Sequence, residues 1–170
     1  RGLGDVYKRQ ILIYGQTGTG KTAIAKFICK QLKEKAENEN VKINTAYINC
    51  KQTNTPYGVL TNIGKTYSAE WEKQIPSAGW RIDKVYSSLK EKADENGGIA
   101  IVILDEIDTL VSKNGDEILY HLTGLNSDLD NSKISIIGIS NDAKFTSWLD
   151  PRVKSRLGEE SLTFSPYNAP

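Results

Sequence analysis

Eight consecutive residues, Gly15-Gln16-Thr17-Gly18-Thr19-Gly20-Lys21-Thr22, constrain this chain more than anything else in it. They fit the pattern G-x-x-x-x-G-K-[ST], which needs a buried strand before it and a helix after it. The sequence offers both. Ile11-Leu12-Ile13-Tyr14 is a short apolar run, and beyond Lys21 the residues Ile24, Phe27, Ile28 and Leu32 recur at the three-and-four spacing of one buried helical face. The polar stretch from Lys33 to Asn40 is expected to close that helix. Gly15, Gly18 and Gly20 permit backbone conformations closed to residues with a Cβ, so successive N–H groups can converge on phosphate oxygens at the positive end of the helix. Lys21 adds a cation for the β- and γ-phosphates, and the Thr22 hydroxyl a ligand for Mg²⁺. The expected nucleotide-binding set is therefore Gly15, Gln16, Thr17, Gly18, Thr19, Gly20, Lys21, Thr22 and Ala23. A glycine-rich turn that merely caps a helix is the competing reading. It leaves the Lys-Thr pair in register after a buried strand unexplained.

The remaining apolar pattern asks for a sheet covered on both faces. Strands are expected at 45–49, 99–104, 134–140 and 162–164. Between them lie helices near 56–68 and 81–94, and a further one carrying Ile118, Leu122, Leu125 and Leu129. Strands apolar on both faces and separated by helices imply parallel pairing, hence an α/β fold. Ligands of such sheets bind at the carboxyl ends of the strands. There Ile101-Val102-Ile103-Leu104 runs into Asp105-Glu106-Ile107-Asp108. Asp105 is read as the carboxylate on the metal side and Glu106 as the group that polarises the attacking water, while Asp108 is expected to cap the next segment.

Charge and composition limit the partners. The net charge is +1, and residues 1–10 carry +2 of it through Arg1, Lys8 and Arg9 against Asp5, leaving −1 for residues 11–170. That balance shows no broad basic footprint for nucleic acid. Residues 1–10 have no helical or strand period and resemble adapter read-through, so they are set apart as a non-native leader. A chain of 170 residues without methionine reads as a fragment. Cys29 and Cys50 are too few for a disulfide framework, and no apolar run reaches the ~18 residues of a membrane span. The expectation is a soluble, cytoplasmic protein without membrane contact. His121 and Cys50 are read as packing residues.

The phosphate loop, the hydrophobic-Asp-Glu strand, the strand ending at Asn141 and the segment Asp150-Pro151-Arg152-Val153-Lys154-Ser155-Arg156-Leu157 together resemble an AAA+ ATPase over nearly the whole chain. Tyr47-Ile48-Asn49-Cys50, Thr55-Pro56-Tyr57, Gly79-Trp80, Leu104 to Asp108, and Ile136-Ile137-Gly138-Ile139-Ser140-Asn141-Asp142 narrow that resemblance. They are similar to archaeal replication initiators of the origin-recognition and cell-division-cycle type. The resemblance implies a P-loop NTPase sandwich with a five-stranded parallel sheet of order 5-1-4-3-2, binding ATP or ADP with Mg²⁺. It also implies Asn141 as a sensor of the γ-phosphate or attacking water. Arg156, and after it Arg152, stands where the family carries an arginine finger donated to a neighbouring initiator subunit. Tyr167 matches the position approaching the adenine. Residues 69–80, with Trp71, Lys73 and Trp80, occupy the place of a DNA-touching insertion, although packing explains an aromatic there equally well.

The activity implied is ATP binding and slow hydrolysis, switching a protein that binds origin DNA and helps to load the replicative helicase. The lid and the winged-helix domain that would carry most DNA contact are missing from residues 11–170. Two other readings stay open: a nucleotide-locked DNA-binding scaffold with incidental turnover, and a P-loop ATPase of another branch, such as a clamp loader or signalling ATPase.

Overall fold

The computed structural model describes residues 10–68, 70–71, 75–76, 79–158 and 160–166. Strand β1 (Ile11–Gly15) leads through the glycine loop into helix α1 (Lys21–Asn38), which is followed by β2 (Ile43–Asn49). Helices α2 (Pro56–Gly64) and α3 (Ile82–Asn96) precede β3 (Gly98–Asp105). Helices α4 (Ile107–Asn114) and α5 (Glu117–Gly124) lead to β4 (Ser132–Ser140), and α6 (Pro151–Leu157) to β5 (Glu160–Phe164). The five strands are parallel in the order β2-β3-β4-β1-β5, which is the order 5-1-4-3-2 read from its other edge.

Period-two alternation gives the sheet two different faces. Ile101 and Ile103 point to the side of α1, where Ile13, Ala25, Cys29 and Ile139 join them. Ala100, Val102 and Leu104 point the other way, into a larger core with Leu12, Leu60, Leu89, Leu119 and Phe145. Because the strands are parallel, the carboxyl ends of β1, β3 and β4 lie on one edge. The register sets Asp105 beside Ile139 and Ser140 beside Tyr14.

Several local expectations shift. Helix α1 runs through the polar stretch to Asn38, and its buried residues are Lys21, Ala25, Cys29 and Ala36. Phe27 is 62% exposed and Ile28 45%. The sheet takes the small-residue flank, about a quarter turn from the stripe that hydrophobicity alone selects, because small side chains let the helix lie close to the strands. Helix α2 stops at Gly64, where a Cβ would overlap the ring of Trp71. The helix expected to carry Ile118, Leu122, Leu125 and Leu129 holds only the first two as α5, with Leu125 in a short 3₁₀ turn at Leu125–Ser127 and Leu129 beyond it, and α4 is an additional helix that the apolar pattern did not announce. Helix α6 was not expected, although Asp150-Pro151 marks its start: Asp150 accepts from Arg152 N and Pro151 fills the first turn.

Gln10, set apart with the leader, belongs to the folded unit: it is buried and its Oε1 accepts from Ile136 N at 2.7 Å. The rest of the leader, 1–9, lies outside the described residues. No helix among the described residues is long and apolar enough to cross a membrane.

Candidate functional site

The glycine loop folds as its sequence demands. Gly18 and Gly20 have φ of +84° and +83°, the left-handed region that favours glycine. Gly20 forms the N-cap of α1, and this helix start has neither a side-chain cap nor an acidic residue in its first turn. Its first N–H groups therefore point outward at the positive end of an 18-residue helix. Gln16, Thr17, Gly18, Gly20 and Ala23 are exposed around this end, while Thr19 is buried with Oγ1 donating to Gln16 O at 2.8 Å. Lys21 is only 5% exposed, and its ammonium donates to Gly15 O at 2.6 Å and Gln16 O at 2.8 Å. Burial pulls its pKa below the ordinary value, against the opposing pull of the Asp105 and Asp108 carboxylates. A third acceptor is Thr19 Oγ1 at 3.5 Å, so the buried cation is held by neutral oxygens of its own loop.

Asp105, 7% exposed, closes the other side. Its Oδ2 accepts from Thr22 Oγ1 at 2.7 Å and from Tyr47 OH at 2.8 Å, and its Oδ1 accepts from Glu106 N at 3.0 Å. Glu106 itself sits at φ 54° and ψ 44°, a left-handed conformation that costs a non-glycine residue energy and concentrates at functional sites. It serves as the N-cap of α4 without a side-chain cap bond. Asp108 does not cap α4 as expected: it stands in the first turn, where its charge complements the helix dipole, and its Oδ1 is buried with no hydrogen-bond partner. The group fits magnesium and phosphate on these observations. A hydroxyl and a carboxylate in contact are the hard oxygen donors Mg²⁺ prefers, the helix start is uncapped, and Asp108 leaves a buried acceptor unused.

Asn141 follows β4 directly and is exposed. It stands at the apex of a turn closed by two bonds, Ser140 Oγ to Asp142 O and Asp142 N to Ser140 Oγ, both 3.0 Å. The register places this turn beside Gly15 at the end of β1. Arg152 and Arg156 lie elsewhere, on α6, with their guanidinium carbons 4.8 and 5.3 Å from the centroid of the Tyr120 ring. Arg152 is also held by Asp150, Nε to Oδ1 at 3.0 Å and Nη2 to Oδ2 at 3.3 Å. This chain does not bring either arginine to its own phosphate loop group.

A family profile described as an AAA domain matches residues 5–142. The chain belongs to the AAA domain family. Among curated proteins this AAA domain is 48% identical over 159 residues to an ORC1-type DNA replication protein of Pyrococcus furiosus, covering 94% of the chain and 38% of that protein. Among solved structures it is similar to the Aeropyrum pernix ORC1 protein in complex with DNA, with a TM-score of 0.84, 37% identity, and coverage of 94% of this chain and 40% of that one. The Aeropyrum pernix ORC2 protein in its ADPNP-ADP complexes shares the fold, with a TM-score of 0.77, 23% identity, and coverage of 97% and 46%. The AAA domain thus spans a little over a third of the length of its curated relatives. The initiator resemblance read from the motifs and the P-loop sandwich are both borne out.

Of the residues expected from sequence, the AAA domain gathers Gly15 to Thr22, Asp105, Glu106 and Asn141 on one edge. Tyr167 and Lys73 lie outside the described residues. Trp71 is 1% exposed and packs on Gly64, so it belongs to the core, and Trp80 carries Lys84 Nζ 3.6 Å from its ring centroid. Cys50 and His121 are packing residues: burial pushes the Cys50 thiol up to about 12, and the His121 ring lies 5.2 Å from that of Tyr86. Sequence reasoning gave Tyr47 no role. Its only signal was a large polar aromatic on β2, on the face of Ile103 and so two residues short of Asp105 on the neighbouring strand.

Proposed function

We propose that this AAA domain is the ATP-binding, slowly hydrolysing switch of a DNA replication initiator. The carrying observation is the 2.7 Å contact between Thr22 and Asp105 below the uncapped start of α1. The loop N–H groups of Gly15 to Thr22 bind the phosphates, and Lys21 exchanges its carbonyl partners for β- and γ-phosphate oxygens. Thr22 and Asp105 hold Mg²⁺, which neutralises charge on the β- and γ-phosphates when bound. Glu106 orients the attacking water and takes its proton as the bond from phosphorus to the bridging oxygen breaks and ADP leaves. Asn141, exposed on its clamped turn, donates its amide to the γ-phosphate or to that water. Arg156 is the finger offered to the nucleotide of a neighbouring subunit. Arg152 is second choice because Asp150 already occupies its guanidinium fork. Tyr167 is assigned to the adenine.

In the longer protein, nucleotide state acts on origin DNA and on the replicative helicase, with most DNA contact in a winged-helix domain beyond the lid. The similarity to an ORC1 protein in complex with DNA supports the DNA part of that assignment. The test is Glu106→Gln in the full-length protein. Stalled helicase loading with intact origin binding supports the switch. Unchanged loading and unchanged origin binding contradict it and favour a nucleotide-locked scaffold.

A further inference from the structure

We propose that Tyr47 is a positioning residue for the magnesium-side carboxylate, a role that rests on the nucleotide reading above. Thr22 and Tyr47 both donate to the same oxygen, Asp105 Oδ2, at 2.7 and 2.8 Å, while Glu106 N takes Oδ1 at 3.0 Å. With three donors on two oxygens, rotation of the carboxylate about its Cβ–Cγ bond breaks at least one bond. Thr22 is the member of this set that must also face the metal. Tyr47 is not so committed, and it holds Asp105 whichever way the threonine lone pairs are used.

The phenol is itself held. Lys26 lies one helical turn after Thr22 on α1, and its Nζ sits 3.4 Å from the centroid of the Tyr47 ring. Asp105 lies two residues beyond Ile103, the register partner of Tyr47, so the hydroxyl reaches it along one face of the sheet. Thr22, Asp105, Tyr47 and Lys26 therefore form a closed circuit from α1 across β3 to β2 and back to α1. Supporting groups of this kind fix a ligand's orientation and temper its charge, and losing one typically weakens metal binding by about 10–100-fold.

Tyr47→Phe removes the O–H while keeping the ring and the Lys26 contact, so the fold should persist, and melting of the variant checks that it does. Binding of a fluorescent ATP analogue to the full chain is titrated with Mg²⁺, and separately measured in excess chelator. The expected result is a magnesium half-saturation raised about tenfold, with affinity in chelator and melting temperature unchanged. Magnesium-dependent binding with the same half-saturation in both chains would overturn the role of Tyr47 alone. Binding indifferent to magnesium in the unmutated chain would overturn the nucleotide reading together with it.

Discussion

At the amino ends of the strands, side chains meet the backbone groups that the sheet leaves over. Asp94 accepts from Asp130 N, Asn131 N and Ser132 N at 3.1, 3.0 and 3.2 Å. Asn126 meets both the N–H and the carbonyl of Ile134 at 2.7 Å, and Gln10 meets Ile136 N. At the carboxyl ends of the same strands, α1 starts without a cap, Glu106 is held in a left-handed conformation, and Lys21 and Asp105 are buried. Both ends are polar, but at one the strand N–H groups named above are met by side chains of the fold, while at the other the N–H groups that open α1 have no side-chain cap. An uncapped helix start, a left-handed glutamate and a buried cation and carboxylate gathered at one end of the strands are the departures from local rules that functional sites show.

Substitutions at the two ends should therefore separate binding and catalysis from stability. The largest effect belongs to the carboxyl end: Glu106→Gln should lower steady-state ATP turnover by about 10²–10⁴-fold while ATP affinity and melting stay as they are. Retained turnover would remove the distinction between Glu106 and an ordinary helix start. Next, Asp94→Asn at the amino end should cost roughly 1–3 kcal/mol in denaturant unfolding, without changing ATP affinity. The same residue predicts a pH dependence. Burial opposes ionisation of Asp94, but the three N–H donors outweigh it and hold the carboxyl below its ordinary 3.8. Its contribution is present above that value and is lost as pH falls through the lower folded-state value. Below pH 3.8 the unmutated chain should thus lose stability more steeply than Asp94→Asn.

A smaller effect of opposite sign is expected from Glu106→Gly. Releasing the left-handed strain should raise stability by about 1 kcal/mol while abolishing turnover, and a fall in stability would show that the conformation carries no strain. The smallest concerns a residue at neither end. Phe27→Ser, on the outer flank of α1, should change unfolding free energy by no more than about 0.5 kcal/mol, where a core phenylalanine would cost several times that.

The sequence announced the parts of this molecule whose chemistry is local. The glycines, Lys21 and Thr22 declare themselves by spacing, and Asp105-Glu106 by following an apolar strand. Hydrophobic period could not tell which flank of α1 the sheet would take, since Ala25 and Cys29 bury a smaller surface than Phe27 and Ile28 yet allow closer approach. It also could not see bonds across distant segments. Tyr47 meets Asp105 only because β2 and β3 pair in one register, and Gln10 reaches Ile136 across 126 positions of chain. For Trp71 the sequence left packing and DNA contact open, and its seat against Gly64 decides for packing.

The most direct test is a binding titration of radiolabelled ATP against the unmutated chain and Lys21→Ala in the presence of magnesium. With the ammonium removed from beneath the loop, affinity should fall by about a hundredfold or more while the melting temperature holds, as expected for loss of charge-assisted bonds to phosphate. Equal affinity in the two chains would contradict the claim that this edge of the sheet grips a nucleoside triphosphate.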